Sequence, residues 1–108
     1  MSYDLRILGP LDSARAAEVL SAAGAEGAGD ELHLERDGVA ASFLISDDEV
    51  GVGVTTLTDD ETAARAGFRG VLELVLALSH ELDARVYDPQ VGRELAADDA
   101  EEAMRAFG

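Results

Sequence analysis

An α+β fold is what this sequence predicts: a two-layer sandwich in which a mixed sheet of about five strands carries two helices on one face, with a short C-terminal helix. Three observations predict it. Ala64, Phe68, Val71, Val75, Leu78 and Leu82 repeat at the 4,3,4,3,4 spacing of a single helix face. Residues 3–8, 39–46 and 50–56 alternate in the manner of half-buried strands. The 108 residues suit a single domain, 1–108, that buries roughly 60–70 % of its unfolded surface without staples.

The first strand spans residues 3–8, with Tyr3, Leu5 and Ile7 inward and Asp4 and Arg6 outward; Gly9-Pro10 ends it. Asp12 or Ser13 caps a first helix of about three turns whose apolar positions are Ala16, Ala17, Leu20 and Ala23. Residues 24–30 hold three glycines outside the strand-then-helix setting of a phosphate loop, and read as a flexible connector. A short strand of Leu32, His33 and Leu34 follows, then a tight Arg36-Asp37-Gly38 turn. The returning arm puts Val39, Ala41, Phe43 and Ile45 on one face. After the acidic tip of Asp47, Asp48 and Glu49, a further strand puts Val50, Val52 and Val54 on one side and Gly51, Gly53 and Thr55 on the other. The bare glycine face favours close backbone packing over an open surface.

Thr58 and Glu61 form a capping box for the long helix, with Asp59 and Asp60 where its dipole favours anions. Gly67 and Gly70 mark either a break or a close approach to the sheet. A strand at Arg85–Asp88, a Pro89-Gln90 turn and a last helix capped by Asp98 complete the order β-α-β-β-β-α-β-α, of ferredoxin-like flavour. In that arrangement the sheet face away from the helices, with His33, Glu35, Ser42, Gly51, Gly53 and Thr55, is open to solvent or to a partner.

Charge bounds the function. Twenty-three acidic residues face eight basic ones, all arginine, for a net charge of −15. Polyanionic nucleic acid and anionic membranes would be repelled, whereas a cationic protein would be captured quickly, with on-rates that fall as salt rises. The same acidity is also what adaptation to a salty or GC-rich host produces. With no cysteine there are no disulfides, thiolate nucleophiles or the usual structural zinc sites. The absence of a basic-then-apolar leader and of a long apolar run points to a cytoplasmic protein.

No catalytic constellation emerges. His33 and His80 are the only imidazole bases, no G-x-S-x-G turn presents a serine, and His80-Glu81 lacks the second histidine of a zinc helix because position 84 is alanine. The acidic clusters at 47–49, 59–61 and 98–99 lack calcium-loop spacing, and two of them serve as helix starts. We therefore expect no enzyme, cofactor or metal. A small enzyme is kept in view only by the closeness of His80, Tyr87 and Asp88 in sequence.

Glu73, Leu74, Ser79 and His80, followed by Ala84-Arg85-Val86-Tyr87-Asp88-Pro89-Gln90, give residues 72–90 a resemblance to small acidic immunity proteins of bacterial polymorphic toxin systems. The resemblance implies a stoichiometric inhibitor, made beside a toxin, that covers the toxin's active site or blocks its folding contacts, and it carries over no catalytic residues. The expectation is a module that binds a cognate basic toxin, of the nuclease class, as a monomer or homodimer. Its contacts would be Asp47, Asp48 and Glu49, with Asp59, Asp60 and Glu35 secondary. The alternative is a stand-alone regulatory or ligand-binding domain, dimeric through its open sheet face, whose acidity is host adaptation.

Overall fold

A computed structural model describes residues 2–96 and 99–107. In chain order the elements are β1 (Ser2–Leu8), α1 (Ser13–Ala22), β2 (Glu26–Ala28), β3 (Glu31–Arg36), β4 (Val39–Ile45), β5 (Glu49–Thr56), α2 (Glu61–Leu82), β6 (Arg85–Asp88), β7 (Arg93–Leu95) and α3 (Ala100–Phe107). The fold is α+β: one open seven-stranded sheet in the order β2-β3-β4-β5-β1-β6-β7, with three helices.

The sheet is antiparallel throughout, which corrects the expected mixed sheet of five strands. The reason is where β1 goes. β5 and β6, joined by the α2 crossover, run in the same direction, but β1 inserts between them and pairs antiparallel with both. The two additional strands come from segments whose periodicity is too short to register. β2 lies in the glycine-rich stretch read as a connector, where a Cβ on Gly27 would sit 2.2 Å from the Glu31 carbonyl oxygen, so only glycine lets the backbones meet. β7 has three residues, of which only Leu95 is buried.

The alternations predict the burial. Tyr3, Leu5 and Ile7 on β1, Val39, Ala41, Phe43 and Ile45 on β4, and Val50, Val52 and Val54 on β5 are all buried, and Asp4 and Arg6 are exposed. α1 rests on β3 and β4, and α2 crosses β3, β4 and β6. Phe68, Val71, Leu72, Val75 and Leu78 of α2 are fully enclosed, each contributing about 1.5–3 kcal/mol of burial. α3 docks through Phe107, which stacks on Phe68 with ring centroids 4.2 Å apart and planes 4° from parallel; Tyr3 tilts against Phe68 at 4.8 Å.

The caps differ in part from expectation. Asp12 caps α1, accepting from the Arg15 N–H. For α2 the cap is Asp60, whose Oδ1 accepts from the Thr62 and Ala63 amides, while the Thr58 hydroxyl accepts from the Asp60 amide. The Thr58–Glu61 box is therefore not formed; α2 begins two residues later, and the first-turn amides that Asp60 satisfies are those of Thr62 and Ala63. The Asp98 cap expected for α3 lies outside the described residues.

α2 runs unbroken past both of its glycines. A Cβ on Gly67 would come within 2.3 Å of the Arg36 carbonyl oxygen and 2.9 Å of Val39 Cγ2, so the helix lies directly on the β3–β4 turn there. Around Gly70 there is open space. We expect Gly67→Ala to lower stability by about 1–3 kcal/mol through overpacking. Gly70→Ala should raise it by roughly 0.5–1 kcal/mol by removing unfolded-state freedom. Urea-unfolding midpoints of the two variants check this, and a fall in both would refute the difference.

Candidate functional site

The acidic residues singled out by sequence do not form one patch. Asp47, Asp48 and Glu49 stand at the start of β5, whereas Asp59 and Asp60 lie beyond its far end. Eight residues of strand between them span roughly 25 Å. Glu35 is elsewhere again, exposed on the outer side of β3.

The β4–β5 tip is also committed to the fold. Gly9 and Leu11 donate their amides to the carbonyls of Asp48 (2.7 Å) and Asp47 (3.0 Å), fastening the tip to the β1–α1 loop. Asp47 Oδ1 accepts from the Ser13 hydroxyl at 2.9 Å. Both Glu49 oxygens accept from the Arg6 guanidinium, at 2.9 and 2.7 Å, and this contact holds the Glu49 carboxyl below the usual carboxylate range. Asp60 is spent as the α2 cap, leaving Asp48, Asp59 and Glu35 as exposed carboxylates.

The register assembles a different surface. Across the exposed side of the strands, opposite the buried rows, Glu26, His33, Ser42, Gly53 and Asp4 fall in one row. Glu31, Leu44, Gly51, Arg6, Tyr87 and Glu94 form the next. Glu35, Ala40 and Thr55 make a third. No side chain approaches a Cβ built on Gly51, and one on Gly53 would meet only Ser42 Oγ at 3.3 Å and Asp4 Oδ1 at 3.9 Å. The glycine strand is thus an open floor, not the close backbone packing that its sequence favoured. A depression of about 230 Å³ lies over it, bounded by His33, Glu35, Ala40, Ser42, Gly53 and Thr55. A second of about 610 Å³ adjoins it across β3, reaching Glu26 and Gly27. Leu44, 62 % exposed, projects from the same face. Sequence named His33, Glu35, Ser42 and the glycines as one face and put Asp4 outward on β1, but missed Glu26 and Glu31, which strand register brings to it.

Arginine is distributed very differently. Arg15 pairs with Glu18 and Glu81, Arg69 with Glu101, Arg85 with Glu94, and Arg93 with Asp99 and Glu102. Arg36 donates to the Ala23 carbonyl and Arg65 to that of Met104. Among the described residues, no arginine pairs with Asp4, Glu26, Glu31 or Glu35; Glu31 has only His33 Nε2, at 3.3 Å.

Of His80, Tyr87 and Asp88, the three residues that kept an enzyme in view, only Asp88 belongs to a buried hydrogen-bond network. Asp88 is completely buried. Its Oδ2 accepts from the Tyr3 hydroxyl, and its Oδ1 accepts from the Gln90 amide (2.9 Å), Gln90 Nε2 (2.7 Å) and the Val91 amide (3.2 Å). Gln90 also donates Nε2 to the Asp4 carbonyl at 2.7 Å and accepts the Asp4 amide at 2.9 Å. His80 is exposed on the last turn of α2 and takes no part in this network. Among the described residues, no group of three or more histidine or carboxylate side chains is arranged to hold a metal ion, and no helix is long and apolar enough to cross a membrane.

Burial first, and then the hydrogen bond to Asp88, raise the Tyr3 hydroxyl well above the ordinary tyrosine range. A raised pKa means the protonated form is the one the fold favours. Its contribution is complete below the unfolded tyrosine value of about 10 and is lost as pH climbs beyond it. We therefore expect stability to fall from about pH 10 upward, and Tyr3→Phe to flatten that fall while costing about 1–3 kcal/mol at neutral pH by leaving Asp88 Oδ2 without its donor. Urea midpoints measured against pH check both; equal alkaline slopes in the two proteins would refute the assignment. No family model, curated protein or solved structure matches the chain.

Proposed function

We propose that this protein is a binding module of the immunity type, which neutralises a cognate basic toxin of the nuclease class by offering carboxylates in place of the phosphates of the toxin's substrate. The observation that carries the reading is the uneven use of charge. Seven of the eight arginines are engaged in ties within the fold, while Asp4, Glu26, Glu31 and Glu35 on the outer sheet face, with Asp48 and Asp59, have no arginine partner among the described residues. At a net charge of −15, such a surface attracts a cationic protein and repels nucleic acid. The reading includes a two-layer arrangement, action in the cytoplasm, no covalent chemistry on the molecule, and a monomer or homodimer that meets one toxin.

A second reading is a regulatory or ligand-binding domain, dimeric through the open sheet face, whose acidity is host adaptation. The paired depressions beside His33 and Glu35 favour it.

Pull-down from the host lysate at low and at high ionic strength separates the two. The inhibitor reading expects a basic protein retained at about 20 mM salt and released at about 1 M, where the screening length shrinks to about 3 Å. A toxin gene beside this one should encode it. Retention of nothing basic at low salt, with unfolding at low salt rescued by molar potassium chloride, would favour host adaptation.

A further inference from the structure

We infer that the docking surface is the outer face of β2–β5, centred on the troughs either side of β3, and that its occupant is an arginine- or lysine-bearing segment of a partner protein. The inference rests on the binding-module reading above and names the surface that reading uses.

Four observations converge on this face. It is recessed, because Gly51 and Gly53 supply no side chains and Ala40 and Ser42 supply only short ones. From β3 to β1 the floor is three strand spacings wide, about 14 Å, enough for one helix or extended segment. It carries carboxylates on both sides: Glu31 and Glu35 rise from β3 with Glu26 behind them, and Asp4 rises from β1 beside the Arg6–Glu49 pair. None of these four carboxylates is neutralised by an arginine among the described residues. Leu44 provides an exposed apolar contact at the side of the trough.

Charge selects the occupant. A second copy of this chain would bring its own Glu26, Glu31, Glu35 and Asp4 against the same groups, so like charges would oppose one another across the interface. A cationic segment instead finds carboxylates on both walls, of which only Glu31 has a partner, the exposed His33 at 3.3 Å. At the tip, a partner must compete with Ser13 for Asp47 and with Arg6 for Glu49.

The test compares two variants of equal charge change, Glu31→Gln with Glu35→Gln, and Asp47→Asn with Asp48→Asn, plus Thr55→Arg, which projects a cation into the trough from an exposed strand position. The probe is an oligo-arginine peptide titrated into the full chain at about 20 mM salt, read by calorimetry and by backbone amide shifts. We expect the double glutamine variant and Thr55→Arg each to weaken binding about fivefold or more, and the double asparagine variant less than about twofold. The largest shifts should fall at His33, Ser42 and Gly53. Equal or greater loss in the asparagine variant would overturn the surface assignment and leave the acidic-module reading standing. No binding to the unaltered protein would overturn both. A dimer that protects the β3–β5 amides would also overturn the assignment, and would favour the regulatory reading.

Discussion

A carboxyl group sealed inside the sheet is the constraint on which the rest depends. Asp88 has no solvent to bond with, so its oxygens must be satisfied by the chain, and Tyr3, Gln90 and Val91 do this. The bonds fix the start of β1 against the end of β6. Register extends the point. Arg6 pairs with Tyr87, so two residues further along Asp4 faces position 89, a proline with no amide to give. The Gln90 side-chain amide takes over, donating to and accepting from the Asp4 backbone as a strand residue would. The Tyr3 ring continues the connection inward to Phe68 and Phe107, so one network joins the sheet, α2 and α3.

Around that apolar and hydrogen-bonded centre, ion pairs fasten the periphery. Arg15 ties α1 to Glu81 of α2, Arg69 ties α2 to Glu101 of α3, and Arg93 ties β7 to Glu102 of α3. Each is solvent-exposed and screened by salt, so it adds little to stability. Their larger effect is on the charge left over. With seven of the eight arginines drawn into internal ties, the excess negative charge is concentrated on surfaces where no arginine answers it.

Long periodic signals were legible in the sequence and short ones were not. The inward faces of β1, β4, β5 and α2 followed directly from period-2 and period-3.6 spacing, because each buries a row of side chains that must all be apolar. β2 and β7, three residues each, are held by their neighbours' backbones, and a glycine-rich or charged triplet gives no sign of that. The Tyr-Asp-Pro-Gln run stood out, but its role needed Tyr3, eighty-five residues away, and no local pattern reports that distance. The capping residue of α2 was misassigned by two positions because Thr58, Asp59 and Asp60 can all cap; which one does depends on where β5 delivers the chain.

The candidate site shows the same limit. Runs of acids draw the eye to Asp47, Asp48 and Glu49, yet adjacency in sequence is what makes them useful to the fold, as ties to the β1–α1 loop and to Arg6. Asp4, Glu26, Glu31 and Glu35 are scattered through three strands and look unremarkable one at a time. Strand register puts them around a common hollow, where no arginine among the described residues pairs with them and only Glu31 has a partner, His33. A carboxylate already bonded must give up that bond before it can hold a partner, whereas a solvated one gives up only water and salt screening. On that difference the open sheet face is the better place for a cation to land.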